Sequence, residues 1–137
     1  MTEEEKRLLL IDLCARLPFR VKCNAFLKQI DGSFKSVFGT FKGYNGWAAV
    51  GNNLVDIETV KPYLRPMSSM TEEEKEEFEN LVFKYDFGDI QFPVENTIMY
   101  WDSFEEVLNY LISHHFDFRG LIEKGLAFEA PKDMYKL

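Results

Sequence analysis

VKCNAFLKQIDGSFKSVFGTFKGYNGWAAVGNNLVDI, residues Val21–Ile57, is the stretch on which the fold turns. Val21, Cys23, Ala25 and Leu27 alternate with Lys22, Asn24, Phe26 and Lys28. A period of two is that of a strand with one buried face. Asp31-Gly32 then marks a hairpin turn, because both residue types tolerate positive φ. A second strand is expected over Phe34–Lys42, with turns at Tyr44-Asn45-Gly46 and Gly51-Asn52-Asn53. Between and after those turns, Trp47–Val50 and Leu54–Ile57 read as the third and fourth strands. Short consecutive strands joined by tight turns make an antiparallel meander. Four strands of this length curl into a small, partly closed barrel, SH3-like in outline. That analogy is topological and carries no function.

Upstream, Thr2-Glu3-Glu4-Glu5 is a capping box, so a helix is predicted from Glu3 to Arg16, ended by Pro18. Its apolar stripe reads Leu8, Leu9, Ile11, Leu13, Ala15 and Leu17. Downstream, Pro62 and Pro66 make Val60–Pro66 a rigid connector. Thr71-Glu72-Glu73-Glu74 is a second capping box, opening an acidic helix with one narrow stripe at Phe78, Leu81 and Val82. Asp86, Gly88, Asp89 and Pro93 break any helix in Phe83–Asn96. Thr97–Trp101 reads as a short strand, and Ser103-Phe104-Glu105-Glu106 as a third capping box for a helix ending near His114. Gly120 turns the chain, and Lys124–Leu137 reads as loop or extended. The prediction is an α+β protein. Residues 1–66 form a helix and a barrel-like meander, and residues 67–137 an acidic helical lobe packed on it as one compact unit.

A chain of 137 residues with 46% hydrophobic side chains has enough apolar surface for one packed domain. No apolar run approaches the roughly 20 residues that span a bilayer. The charged N-terminus does not read as an export signal, so a cytoplasmic setting without membrane contact is expected. Cys14 and Cys23 lie apart with no histidine cluster near them. They read as two reduced, mostly buried thiols rather than a zinc site, with a disulfide as the minor alternative. The net charge of −7 is unevenly spread. Residues 1–66 hold 10 Lys/Arg against 7 Asp/Glu, and residues 67–137 hold 6 against 16.

Catalytic signatures are sparse. There is no phosphate-binding glycine loop, no nucleophile elbow and no Ser–His–Asp order, so a non-enzymatic protein with no cofactor and no metal is expected. His114 and His115 are adjacent and point about 100° apart on a helix, which suits capping of its last carbonyls better than chelation. Asp117 and Arg119 suggest an ion pair fixing the turn to Gly120. With Arg65 and His115 they are candidates for a structural joint between the lobes. Glu73, Glu76 and Glu77 mark a candidate acidic face, for which a solvated helix surface is the plainer reading. The candidate binding surface is the basic, aromatic meander: Lys22, Phe26, Lys28, Lys35, Phe41, Tyr44 and Trp47. Such side chains stack bases and track phosphates, or anchor a protein partner. They serve equally as core and as guards of edge strands.

Three motifs add a resemblance. LCARLPFRVKC at Leu13–Cys23, KPYLRPMSSMTEEE at Lys61–Glu74 and HHFDFRGLIEKGLAFEAPKDMY at His114–Tyr135 resemble an uncharacterised family of small proteins from Bacteroidales bacteria, their phages and other mobile elements. The resemblance implies an accessory product of a phage or mobile element in a bacterial cytoplasm. It implies no catalytic or binding residues. Three functions stand as expectations. The first is a module binding a host or viral protein, with counter-defence as one form, the acidic lobe occupying a basic surface. The second is a nucleic-acid-binding module using the sheet. The third is a small-molecule or nucleotide binder with a pocket between the lobes, lined by Trp47 or Trp101.

Overall fold

The computed structural model describes residues 1–84 and 97–135, and the side chains of these except residues 82–84 and 97–103. Helix α1, Glu3–Ala15, leads through a 3-10 turn at Leu17–Phe19 into strands β1 (Lys22–Lys28), β2 (Phe34–Tyr44), β3 (Ala48–Val50) and β4 (Asn53–Val55). A second 3-10 turn, Ile57–Thr59, precedes β5, Lys61–Leu64. A third, Met67–Ser69, precedes helix α2, Glu72–Lys84; helix α3 spans Thr97–Ser113, and a short strand β6 spans Phe128–Glu129. The protein is α+β, as the sequence predicts.

One six-stranded sheet runs in the order β4-β3-β2-β1-β5-β6. All its neighbours are antiparallel except β5 and β6. The sheet stays open, which corrects the expected partly closed, SH3-like barrel. β5 pairs with β1 on one side and β6 on the other, so it has no edge left for β4. The sheet does curl. β2 carries a bulge between Phe41 and Gly43, and a Cβ on Gly39 would lie 2.9 Å from the Gly51 backbone. Only a residue without a side chain allows that approach.

Two local expectations are overturned. Val60–Pro66 is not a bare connector: Val60, Pro62 and Leu64 alternate inward and Lys61–Leu64 forms β5. Pro62 is tolerated because the ladder to β1 covers only Cys23–Pro62 and Asn24–Lys61. Thr97–Trp101 is not a strand but the first part of α3, so Ser103 lies inside that helix and not at its start. Tertiary context overrides the β-like composition there. Lys124–Leu137 is loop and extended as expected, and its extended part, Phe128–Glu129, joins the sheet. The breaks expected at Asp86, Gly88, Asp89 and Pro93 fall on residues 85–96, outside the described residues.

The core is shared along the chain. Leu9 and Leu13 of α1, Val21 just before β1, Cys23 and Ala25 of β1, and Leu121, Leu126 and Ala127 after α3 belong to one buried cluster. On α1 the buried face is Leu9, Asp12, Leu13 and Arg16, while Ile11 and Leu17 are exposed. Both cysteines are free; Cys23 is buried, but Cys14 is exposed, contrary to the expectation of two mostly buried thiols. Burial pushes the Cys23 thiol far up, so it stays protonated. Among the described residues, no helix is long and apolar enough to cross a membrane.

Candidate functional site

Pairing of β1 with β2 sets two faces. Val21, Cys23, Ala25 and Val37 turn inward. Lys22, Asn24, Phe26 and Lys28 turn outward, opposite Thr40, Phe38, Ser36 and Phe34. On β5 the outward positions are Lys61, opposite Asn24, and Tyr63, which pairs with Phe128 of β6. Phe38, Tyr63 and Phe128 make a row of rings across the sheet, with centroids 5.8 Å and then 5.4 Å apart. Phe38 is 58% exposed and Phe128 40%, a large apolar area to leave in water. The Lys61 ammonium lies 5.1 Å from the Phe128 ring centre, and Lys22 Nζ donates to Thr40 Oγ1 at 2.7 Å. None of Lys22, Lys28 and Lys61 is ion-paired with a described residue. No position on this face of β1, β5 and β6, or opposite it on β2 from Phe34 to Thr40, is a carboxylate.

The C-terminal segment holds this face in place. The Tyr135 hydroxyl accepts from Lys22 N at 2.8 Å and donates to Tyr63 O at 2.7 Å. It stitches β1 to β5 where the direct ladder has ended. Behind it the Tyr135 ring stacks on His115 at 3.8 Å. Burial, with the positive charge of Arg16 added, pushes the His115 imidazole down to about 4. His115 therefore sits neutral at neutral pH.

Charged groups are also buried at the joint between α1 and the segment after α3, where all but Arg16 Nη1 find partners among the described residues. Arg16 Nε donates to Asp12 Oδ2 at 2.8 Å, and Arg16 Nη2 to the Phe116 carbonyl at 2.7 Å. Arg119 Nη1 donates to Asp12 Oδ1 at 2.6 Å. Asp117 accepts from the Leu121 and Ile122 amides, both at 2.9 Å, so it caps a turn and does not pair with Arg119. Arg65 clamps Glu74 with two bonds of 2.7 and 2.6 Å, and that guanidinium holds the carboxyl down at about 2. Arg65, His115, Asp117 and Arg119 thus all lie where the two halves of the chain meet. Asp12, Arg16 and Glu74 complete the joint and escaped the sequence reading. Asp12 and Arg16, four apart on the Leu9–Leu13 stripe, were the available signal.

A groove of about 700 Å³ opens between α2 and the C-terminal segment, with Glu73, Glu77, Glu129 and Asp133 on its walls. Glu77 accepts from the Tyr110 hydroxyl at 2.9 Å, and His114 Nδ1 lies 2.8 Å from the Tyr110 carbonyl, the capping expected of a terminal histidine. Glu76 is exposed but does not line the groove, so the expected acidic face is divided. Trp47 does not line it either. A second groove, about 580 Å³, lies between Phe26, Lys28, Phe34, Trp47 and Leu54, with Asp56 and Glu58 on its wall.

The seven residues expected as one binding surface are scattered. Phe41 is in the core at 1% exposure. Lys35 pairs with Leu27 on the opposite side of the sheet from Lys22, at a solvated end. Tyr44 pairs with Ala48 beyond the bulge. Phe26, Lys28 and Trp47 border the second groove, and Lys22 alone joins the ring row. Phe38, Lys61, Tyr63 and Phe128 were missed because Tyr63 and Phe128 come from segments read as connector and tail. No group of His, Cys, Asp and Glu among the described residues has the arrangement of a metal site. Comparison with protein-family models, curated proteins and solved structures returns no match.

Proposed function

We propose that the protein is a non-enzymatic binding module whose working surface is the outer face of the sheet, and that its partner is anionic. The observation that carries this reading is the uncovered ring row of Phe38, Tyr63 and Phe128, with Lys22 and Lys61 beside it and no carboxylate at the outward strand positions around it, in a chain of net charge −7. Exposed aromatics offer contact area, and unpaired lysines select the sign of the partner. The carboxylates of the joint support a non-enzymatic role, since buried Asp12 and Asp117 and partly buried Glu74 each spend their oxygens on internal donors. The motif resemblance supports an accessory product of a mobile element, acting in a bacterial cytoplasm, as the setting.

A second reading keeps a protein partner on the other side, a basic protein surface seated on the Glu73, Glu77, Glu129 and Asp133 groove, as in counter-defence. One experiment separates the two. Tagged wild type, a face variant (Phe38→Ala with Lys61→Glu) and a groove variant (Glu73→Lys with Glu77→Lys) are captured from a Bacteroidales host. A stoichiometric partner lost only by the face variant is the expected result. Loss only by the groove variant transfers the function to the acidic side.

A further inference from the structure

We infer that the anionic partner of the sheet face is single-stranded nucleic acid, with bases stacking on Phe38, Tyr63 and Phe128 and phosphates running past Lys22, Lys28 and Lys61. The inference rests on the face being the working surface and adds what it binds. Three features select this occupant. The rings are a connected row, 5.8 and 5.4 Å between centres and tilted to one another, and successive bases of a single strand stack on such aromatic platforms. Phe38 and Phe128, at the two ends, are the exposed members, so a strand can enter from either side. The lysines are arranged about the row. Lys61 lies over Phe128, Lys22 reaches Thr40 beside Phe38 on β2, and Lys28 extends the line along β1.

The side chains between the rings fit the same occupant. Asn24 lies opposite Phe38 and next to Lys61, and its side-chain oxygen accepts from Ser36 Oγ at 2.9 Å. Asn24, Ser36 and Thr40 are short and polar, so they leave the ring faces accessible and offer hydrogen bonds to base edges or sugar. An apolar protein surface would leave these groups and the lysines without partners. Duplex presents its bases edge-on and cannot stack on the row.

The test uses the whole protein with fluorescein-labelled 12-nucleotide oligothymidine and oligouridine, and a 12-base-pair duplex, read by fluorescence anisotropy. Both single strands should bind and the duplex should bind more weakly. Phe38→Ala should weaken the single strands about tenfold, and Phe128→Ala about tenfold more. Three lysines facing phosphates give a slope of log affinity on log salt of about −2, so a fourfold rise in salt weakens binding about twentyfold. Ile11→Ala, an exposed apolar residue on α1, is the control and should bind as wild type. Circular dichroism confirms that each variant is folded. Duplex bound as tightly as single strand and indifferent to both phenylalanines would overturn the stacking site. Absence of oligonucleotide binding would overturn the nucleic-acid assignment. If the face variant still lost a captured cellular partner, the face would remain the working surface with another ligand; if it lost nothing, both readings would fall.

Discussion

Met-Thr-Glu-Glu-Glu-Lys occurs twice in this chain, as Met1–Lys6 opening α1 and as Met70–Lys75 opening α2. Both copies close the same capping box. Thr2 Oγ1 accepts from Glu5 N, and Thr71 Oγ1 from Glu74 N, each at 3.1 Å, and each glutamate reaches back to the threonine amide. Beyond the cap the helices part company. α1 buries Leu9, Asp12 and Leu13 in the shared core, with Arg16 at its end, whereas the first turns of α2 stay largely in water. Glu5 remains at the surface, its carboxyl lowered first by the Thr2 backbone bond. Glu74, the same residue of the same motif, is seized by Arg65. Local sequence starts a helix; what it docks against depends on residues farther along and on partners brought by the fold.

The largest effect is expected where α1 departs from α2. Arg16→Met removes the fully buried guanidinium, leaves the Phe116 carbonyl without its donor and reduces Asp12 to a single partner. The expected loss is about 3–5 kcal/mol in urea unfolding. Asp12→Leu combined with Arg16→Met should cost less than Arg16→Met alone, because no half-paired carboxylate is left in the interior and the partly exposed Arg119 can turn to water. A double variant as damaged as the sum of the singles would show that the pair stabilises through more than mutual compensation.

Acid should act on the joint next. The His115 imidazole ordinarily titrates near 6.5 and is held at about 4 in the fold. The unfolded chain takes up this proton first, so its contribution is complete above pH 6.5 and drains away as the pH falls through 4. The whole change is about 3 kcal/mol. Glu74 adds a later loss of the same sign. Its carboxyl, ordinarily near 4.5 and held at about 2, contributes above 4.5 and fades as the pH falls through 2. His115→Asn suits the left-handed backbone at this position, where φ is 63°, and should flatten only the upper window. A stability profile unchanged between pH 6.5 and 4 in that variant and in wild type alike would remove His115 from the account.

What could be read from the chain divides along similar lines. α1, α2 with its cap, and β1 to β4 were legible because periodicity, capping boxes and Asp-Gly or Asn-Gly turns are local signals. β5 was hidden by Pro62, and β6 is two residues long with no alternation to detect. Their parallel pairing joins Tyr63 to Phe128 across most of the second half of the chain, and no local pattern announces such a contact. Half of the candidate face was therefore invisible. Lys22 was placed correctly on the outward side, but Phe41 was taken for a surface ring, although its inward parity with Val37 was available. The joint was legible as residue types, Arg65, His115, Asp117 and Arg119, but not as partners. Arg119 reaches Asp12 across the fold, and only the packing of α1 reveals it.

A smaller effect sharpens the contrast between the two glutamates. Glu74→Gln gives up a two-pronged charged bond to Arg65 and should cost about 1–2 kcal/mol, toward the lower figure because the pair is partly wetted. Glu5→Gln keeps the cap bond with a neutral acceptor and has no arginine to lose, so its unfolding midpoint should move less. Parity between the two variants in urea melts would mean that Arg65 is as well satisfied by water and the Ser69 carbonyl as by Glu74.

The smallest effect isolates the cap itself. Thr2→Ala and Thr71→Ala each remove one side-chain acceptor from the first turn, at a cost of about 1 kcal/mol by the usual scale of such caps. If the motif were wholly local, the two losses would match. They should not quite match. Thr71 N donates at 3.0 Å to the same Glu74 Oε1 that Arg65 Nη2 holds at 2.6 Å, so the second cap also sets the carboxylate for its arginine. Thr71→Ala should therefore cost a few tenths of a kcal/mol more than Thr2→Ala, and the excess should vanish in an Arg65→Ala background. An excess that survives there would place the coupling in the helix start rather than in the ion pair.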